Sequence, residues 1–267
     1  MKSTTGIGLK NVQGVYGGPE GDLWELVMGE QIHIGGFASS MALAERAGIG
    51  QGMKGVDLCC CTGAGMRFLV RFRKVAAMTG VDATEHVVAR GRTRCAEEGL
   101  ADRIRFVLAD VCDSRLPAGE ADFVWGEDAW CYVEDKAKLV AEAARLVRRG
   151  GTIAFTDWVE GRTAMTAAEA DRYLKFMKFP SVLSLADYRK MLEANGCEVK
   201  VAEDTGRFPA HVDLYLNMLN MQLTYDALKI IGFDTQLMGA MAQEMVFMQG
   251  LAHAGKIAQG CLVAARK

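Results

Sequence analysis

The sequence predicts an α/β fold built on a mostly parallel sheet with helices on both faces. Three observations carry that expectation. Between Gly55 and Phe155, short apolar runs alternate with helix-patterned stretches across short turns, the signature of successive strand–helix units. Runs such as GVDLCC and ADFVWG are apolar nearly throughout, as suits strands covered on both faces. A chain of 267 residues that is 50% hydrophobic, with only four prolines, can bury one continuous core.

The elements follow in order. Residues 1–50 precede the sheet, contain Trp24 and a turn over 29–36, and are expected to fold over its upper edge as a cover. Strands are expected over 55–60, 75–82, 104–110, 121–126 and 151–157. Helices should run from 65 to 72, from beyond Asp82 through Glu97, and over 136–149. Past residue 158 two helices are expected, over 164–176 and 184–195; Ser184 is the candidate N-cap of the second and Gly196 its stop. Residues 197–203 alternate like a strand, and 257–265 form a last one. Between them a long helical stretch, 210–253, carries methionines at 218, 221, 238, 241, 245 and 248. Their spacing fits adaptable packing on a helix face, walling an apolar pocket. Three units are therefore expected: a cover segment (1–50), a sheet domain (51–205 with 256–267), and a helical insertion (206–255) forming part of a substrate pocket.

Bulk properties exclude some roles. A net charge of -2 gives no broad attraction for polynucleotides. No apolar run is long enough to span a bilayer. The opening MKSTTGIGLK lacks an apolar signal core, so a cytoplasmic location is expected, with the eight cysteines as thiols. Those cysteines form no CxxC pair, and the four histidines no HExxH, so no metal site is expected. Small apolar packing is the expectation for the run Cys59-Cys60-Cys61.

That run belongs to DLCCCTGAG, residues 57–65: a strand end, a small-residue turn and a helix start. Backbone N–H groups at such a helix start cradle a phosphate or carboxylate. Neither GxGxxG nor a Walker loop is present. In a parallel sheet, ligands lie outside the carboxyl ends of the strands. The positions to watch are therefore 61–65, Asp82, Asp110, 126–130, Asp157 and Trp158. Asp82 can accept both hydroxyls of a ribose, which also suits NAD. Asp110, in LADVCD, adds an acceptor for an adenine amino group, and the combination favours S-adenosylmethionine.

Taken together these motifs resemble the class I S-adenosylmethionine-dependent methyltransferases, most of all the branch holding sarcosine and dimethylglycine N-methyltransferases. The resemblance covers nearly the whole chain. The family's VLDLGCGTG is here VDLCCCTG: Asp57, Thr62 and Gly63 match, while two glycines have become Cys59 and Cys61. TGVDAT, GLADRIRFVLADVCDSRLP, ADFVWGEDAWCY and VRRGGTIAFTD match further family elements in order. Upstream, Tyr16, Met28-Gly29-Glu30 and His33-Ile34-Gly35 correspond to others. The resemblance implies a Rossmann-like, seven-stranded sheet with an N-terminal flap and a helical insertion before the last strand. It implies S-adenosylmethionine held by Tyr16, Gln31, Cys61, Thr62, Gly63, Asp82, Ala83, Asp110, Val111 and Glu127. Two departures stand out. A thiol at 61 adds bulk where glycine tolerates positive φ, and the loop is expected to keep its path in negative-φ geometry with binding retained. Tyr132 stands where relatives carry histidine.

The function expected is in-line methyl transfer to a small molecule, with an amine nitrogen as acceptor. Such transfer depends chiefly on positioning, whereas an alcohol or carbon acid also needs a base. His33, Glu127 and Tyr132 are the catalytic candidates. Trp130, Tyr132 and Trp158 are the substrate candidates, the tryptophans as an aromatic wall tolerant of a cation. Trp125 reads as core, and Asp128 as either a site residue or a backbone-bonding one. Three alternatives stay open: O-, S- or C-methylation of an apolar metabolite, non-catalytic binding of S-adenosylmethionine or S-adenosylhomocysteine, and an NAD-dependent enzyme. The partner expected is a small-molecule acceptor, with neither nucleic acid nor membrane; a homodimer is left open.

Overall fold

The structure is a computed structural model and describes residues 2–267. A short strand β1 (Lys2–Ser3) leads into three helices, α1 (Leu9–Tyr16), α2 (Pro19–Met28) and α3 (Gly36–Arg46). Strand–helix units follow: β2 (Lys54–Leu58), α4 (Ala64–Phe72), β3 (Ala77–Asp82), α5 (Glu85–Glu97), β4 (Ile104–Leu108), β5 (Ala121–Glu127), α6 (Lys136–Leu146) and β6 (Val147–Glu160). Then come α7 (Ala167–Met177), β7 (Ser181–Val182), α8 (Leu185–Ala194) and β8 (Cys197–Asp204). Helices α9 (Phe208–Asn220), α10 (Thr224–Ile230) and α11 (Thr235–His253) precede the last strand, β9 (Ile257–Arg266).

Seven strands form one sheet in the order β4-β3-β2-β5-β6-β9-β8, parallel except for β9, which runs antiparallel to both neighbours. This is the Rossmann-like arrangement the motifs imply. The near-continuous apolar runs explain the central strands: β2 and β5 are buried along almost their whole length because helices cover both faces. On one face α6 and α8 pack over Leu58, Val124 and Phe155; on the other, α3 and α4 pack over Phe123 and Trp125. Side-chain caps start several helices. Ser184 and Asp187 form a capping box at α8, and Thr166 and Glu169 another at α7.

Two expectations need correction. The helical stretch 210–253 is three helices, interrupted at Met221–Leu223 and at Ile231–Asp234. Gly232 and Phe233 take positive φ (68° and 62°), and the Asp234 side chain caps α11 by accepting from the N–H groups of Gln236 and Leu237. Residues 2–50 do not act as one cover. Helices α1 and α2 join a third core beyond the carboxyl ends of the strands, with Trp158, Phe179 and parts of α7, α9 and α11; α3 instead joins the helical layer on the sheet face.

The chain leaves β2 toward β3 on one side, while β5 lies on the other. That reversal in strand order opens a crevice at the carboxyl ends of β2 and β5.

Candidate active site

A cavity of about 900 Å³ occupies that crevice. Its floor is the turn between β2 and α4, and Leu9, Val12 and Tyr16 of α1 face it from the cover. The turn departs from the expected geometry. Cys59 and Cys61 sit at φ 66° and 48°, in the left-handed region, as does Gly63 at 75°. The expectation of negative φ at Cys61 is therefore overturned. The reason is the hydrogen bonding of the trace. The N–H groups of Cys59 and Cys60 both donate to the Val81 carbonyl (3.0 and 3.2 Å), and that of Gly63 to the Cys60 carbonyl (2.8 Å). The Cys61 N–H donates to Asp82 Oδ2 (2.9 Å). Cysteine thus follows a glycine path, at a conformational cost of about 1–2 kcal/mol per residue. The thiols stay protonated: burial pushes Cys61 up to about 12, and Cys59 and Cys60 well above the usual range.

The acids at the strand ends follow. Asp82 accepts from the N–H of Cys61 through one oxygen and from that of Thr84 (2.9 Å) through the other. Burial raises its pKa, while these backbone donors oppose the rise. Asp110 Oδ1 accepts from the Cys112 N–H (2.8 Å), and Asp110 and Val111 line the cavity. Gly65 leaves space a side chain would fill, since an added Cβ would lie 2.9 Å from Glu127 Oε2. An open cradle before a helix N-terminus, with an acid at the end of each of the next two strands, fits an adenosyl ligand carrying a carboxylate.

Glu127, at the end of β5, is held on the wall by three side chains. Its Oε1 accepts from Ser40 Oγ (2.7 Å) and lies 3.3 Å from His33 Nε2; its Oε2 accepts from Trp125 Nε1 (3.1 Å). Ser40 also contacts His33 Nε2 (3.1 Å) and accepts from Gln31 Nε2 (2.8 Å). With the serine proton on Glu127, His33 Nε2 must carry a hydrogen to complete the set. Burial raises the Glu127 pKa, against the lowering effects of His33, Ser40 and Trp125. Across the cavity, the Tyr16 hydroxyl donates to that of Tyr132 (2.9 Å), and burial keeps both phenols well above their ordinary pKa.

Of the candidate residues, Tyr16, Gln31, Cys61, Thr62, Asp82, Ala83, Asp110, Val111, Glu127 and Tyr132 line one cavity. Gly63 stands behind it, as the N-cap of α4. His33 is fully buried behind Glu127 and does not reach the wall. The two substrate tryptophans are corrected to core. Trp130 is fully buried, stacked on Phe155 (3.9 Å between centroids), because Gly126 leaves room for its indole. Trp158 packs edge-on against Phe179 and Phe208 and does not line the cavity. The insertion 206–255 contributes no lining residue; its α9 packs on Trp158 instead. Asp128 has a bonding role: Oδ2 accepts from the Ile34 N–H (2.8 Å), and Gln259 Nε2 donates to both oxygens.

Sequence reasoning missed Ser40, and it did not place Asp57 and Trp125 in the site. A carboxylate inside the apolar run of β2 was a usable signal, because a buried acid requires a partner or a task. Ser40 carried no such signal.

Residues 56–155 match the family model described as a methyltransferase domain. That stretch of the chain is a methyltransferase domain. One protein of similar fold is solved in complex with S-adenosylmethionine, a ligand of the kind the cradle above fits. The domain is 26% identical over 201 residues to the 27-O-demethylrifamycin SV methyltransferase of Amycolatopsis mediterranei, covering 70% of this chain and 74% of that protein. It is 28% identical over 159 residues to the chloroplastic tocopherol O-methyltransferase of Arabidopsis thaliana, covering 56% and 45%. The chain thus spans less than half the length of some curated relatives it matches. In fold, it is similar to the [4+2]-cyclase SpnF (TM-score 0.80, 20% identity, 98% and 99% of the two chains). It is also similar to phosphoethanolamine N-methyltransferase 2 of Haemonchus contortus (TM-score 0.81, 17% identity, 92% and 56%). Among the described residues no helix is long and apolar enough to cross a membrane.

Proposed function

We infer that this chain transfers a methyl group from S-adenosylmethionine to the nitrogen of a small-molecule amine. The observation that carries the reading is Glu127: a carboxylate on the cavity wall, braced by Ser40, His33 and Trp125, in a cavity that a pair of neutral phenols also lines. Asp82 and Ala83 would hold the ribose side, Asp110 and Val111 the adenine, and the turn 61–63 with Gln31 the methionine end. When bound, S-adenosylmethionine would supply an electrophilic methyl on a sulfonium. An acceptor that is an ammonium in water must first give up a proton to expose the lone pair that takes the methyl. Glu127 receives that proton. Its raised pKa brings it nearer to neutral pH, where a general base works best. Tyr16 and Tyr132 orient the acceptor through hydroxyls that stay neutral. His33 acts from behind the wall by holding Ser40 and Glu127 in place.

A hydroxyl acceptor at the same carboxylate is the second reading, favoured by the likeness to a relative named for a 27-O-demethyl substrate. Replacing Glu127→Gln separates a base from a mere wall. Turnover of amine acceptors should fall by about 10²–10⁴-fold, with S-adenosylhomocysteine binding by calorimetry altered only a few-fold. Unchanged turnover would remove Glu127 from the chemistry.

A further inference from the structure

We propose that the methyl acceptor bears no carboxylate, phosphate or sulfate, and is instead a neutral or cationic amine on an apolar body. The inference rests on the methyl-transfer reading above and concerns the charge its cavity tolerates. Of four carboxyl groups on the inner wall, Asp57 and Asp128 are buried, the Glu127 side chain is nearly so and Asp82 is partly exposed; Asp110 and Glu134 line the same cavity further out.

Nothing on the wall offsets them for a second ligand. Only two basic side chains reach it among the described residues, both lysines of α6. Lys136 is 4% exposed, and its Nζ lies within 3.1 Å of four oxygens: the carbonyls of Cys131, Val133 and Ser181, and Ser181 Oγ. An ammonium has three protons, so these partners already exhaust it. Lys138 is an exposed side chain paired with Asp135 at 3.2 Å. The arginines nearest the cover, Arg67, Arg90 and Arg94, are engaged by Glu30, Asp22 and Glu25. The amides at the start of α4 suit the cofactor's own carboxylate.

An anionic acceptor would therefore be stripped of water next to Glu127, with no wall side chain free to pair with it and only the cofactor's sulfonium as counter-charge. An amine meets the opposite field, and Leu9, Val12, Ile32, Leu183 and Met191 offer an apolar surface for its body. The carboxylate-bearing acceptors that the resemblance to sarcosine and dimethylglycine enzymes would suggest are thus disfavoured here.

The test uses the full chain with S-adenosylmethionine and matched pairs of acceptors: tryptamine with tryptophan, phenethylamine with phenylalanine, histamine with histidine. Release of S-adenosylhomocysteine is measured for each, after its own binding is verified by calorimetry. The expected result is a kcat/KM for the amine at least about tenfold above that of its amino acid. Equal or faster turnover of the amino acids would overturn the inference and leave amine methylation standing. Inertness of both members of every pair, with S-adenosylhomocysteine tightly bound, would instead overturn the transfer reading and this inference with it.

Discussion

Cys59 and Cys61 occupy backbone positions where a side chain is strained, and the strain makes the turn testable. Glycine relieves the left-handed conformation, whereas a β-branched residue worsens it. Cys61→Gly should exceed Cys61→Val in unfolding free energy by about 1–3 kcal/mol in urea titrations, and should retain S-adenosylhomocysteine binding. Equal stability of the two variants would mean that the turn follows another path. Ser40 makes a second prediction at this scale. It donates to Glu127 and accepts from Gln31, so Ser40→Ala removes a hydrogen bond that favours the charged carboxylate. The Glu127 pKa should rise further, and the acid limb of the pH–rate profile should move to higher pH. A uniform loss of rate at every pH would make Ser40 merely structural. The strand-end acids were legible because their chemistry depends on where a strand stops. The φ of Cys61 was not, because hydrogen bonds to Val81 and Asp82 decide it.

Among the elements, α2 is strapped to the helices beside the turn. Arg90 pairs with Asp22 (2.8 Å) and Glu25 (2.9 Å), Arg94 with Glu25, and Arg67 with Glu30; Gln13 of α1 donates to the Ala83 carbonyl (2.8 Å). Because α1 faces the cavity from the cover, this strap bears on how firmly a ligand is held. Partly exposed pairs of this kind contribute about 0.5–1 kcal/mol each. Glu25→Gln should therefore weaken S-adenosylhomocysteine binding by about two- to fivefold, and added salt should shrink the difference between variant and wild type. An affinity indifferent to both would detach the cover from binding. Helix content in the insertion was legible from its apolar periodicity. Its interruption at Gly232 was not anticipated, nor was its packing on Trp158 rather than on the cavity, since periodicity does not say which neighbour a face meets.

Across the whole molecule, one buried network joins the sheet to the loop bearing Tyr132. Asp157 is fully buried and accepts from the Tyr188 hydroxyl (2.5 Å) and the Cys131 N–H (2.9 Å), while Lys136 ties the Cys131–Val133 segment to Ser181. Burial raises the Asp157 pKa to about 6, against an ordinary carboxylate value near 4. The folded state therefore holds its proton to higher pH than the unfolded state does. Folding stability from this group is fully present below about pH 4 and is lost as pH rises toward about 6. Asp157→Asn removes the titration. Its stability relative to wild type should improve by on the order of 2 kcal/mol between about pH 4 and pH 7 in chemical denaturation. A difference that stays constant with pH would mean that Asp157 does not change protonation on unfolding.

The sequence by itself determined the strand–helix alternation, the crevice at the strand ends and the acids that line it. These depend on periodicity and on local spacing, both of which are written along the chain. Only the tertiary structure decided that Trp130 and Trp158 are core, and that His33 and Ser40 stand behind Glu127 and brace it. It also decided the charge of the cavity, because that depends on which lysines are already engaged by oxygens from distant segments. Pairing across such separations depends on three-dimensional packing, which spacing along the chain does not encode.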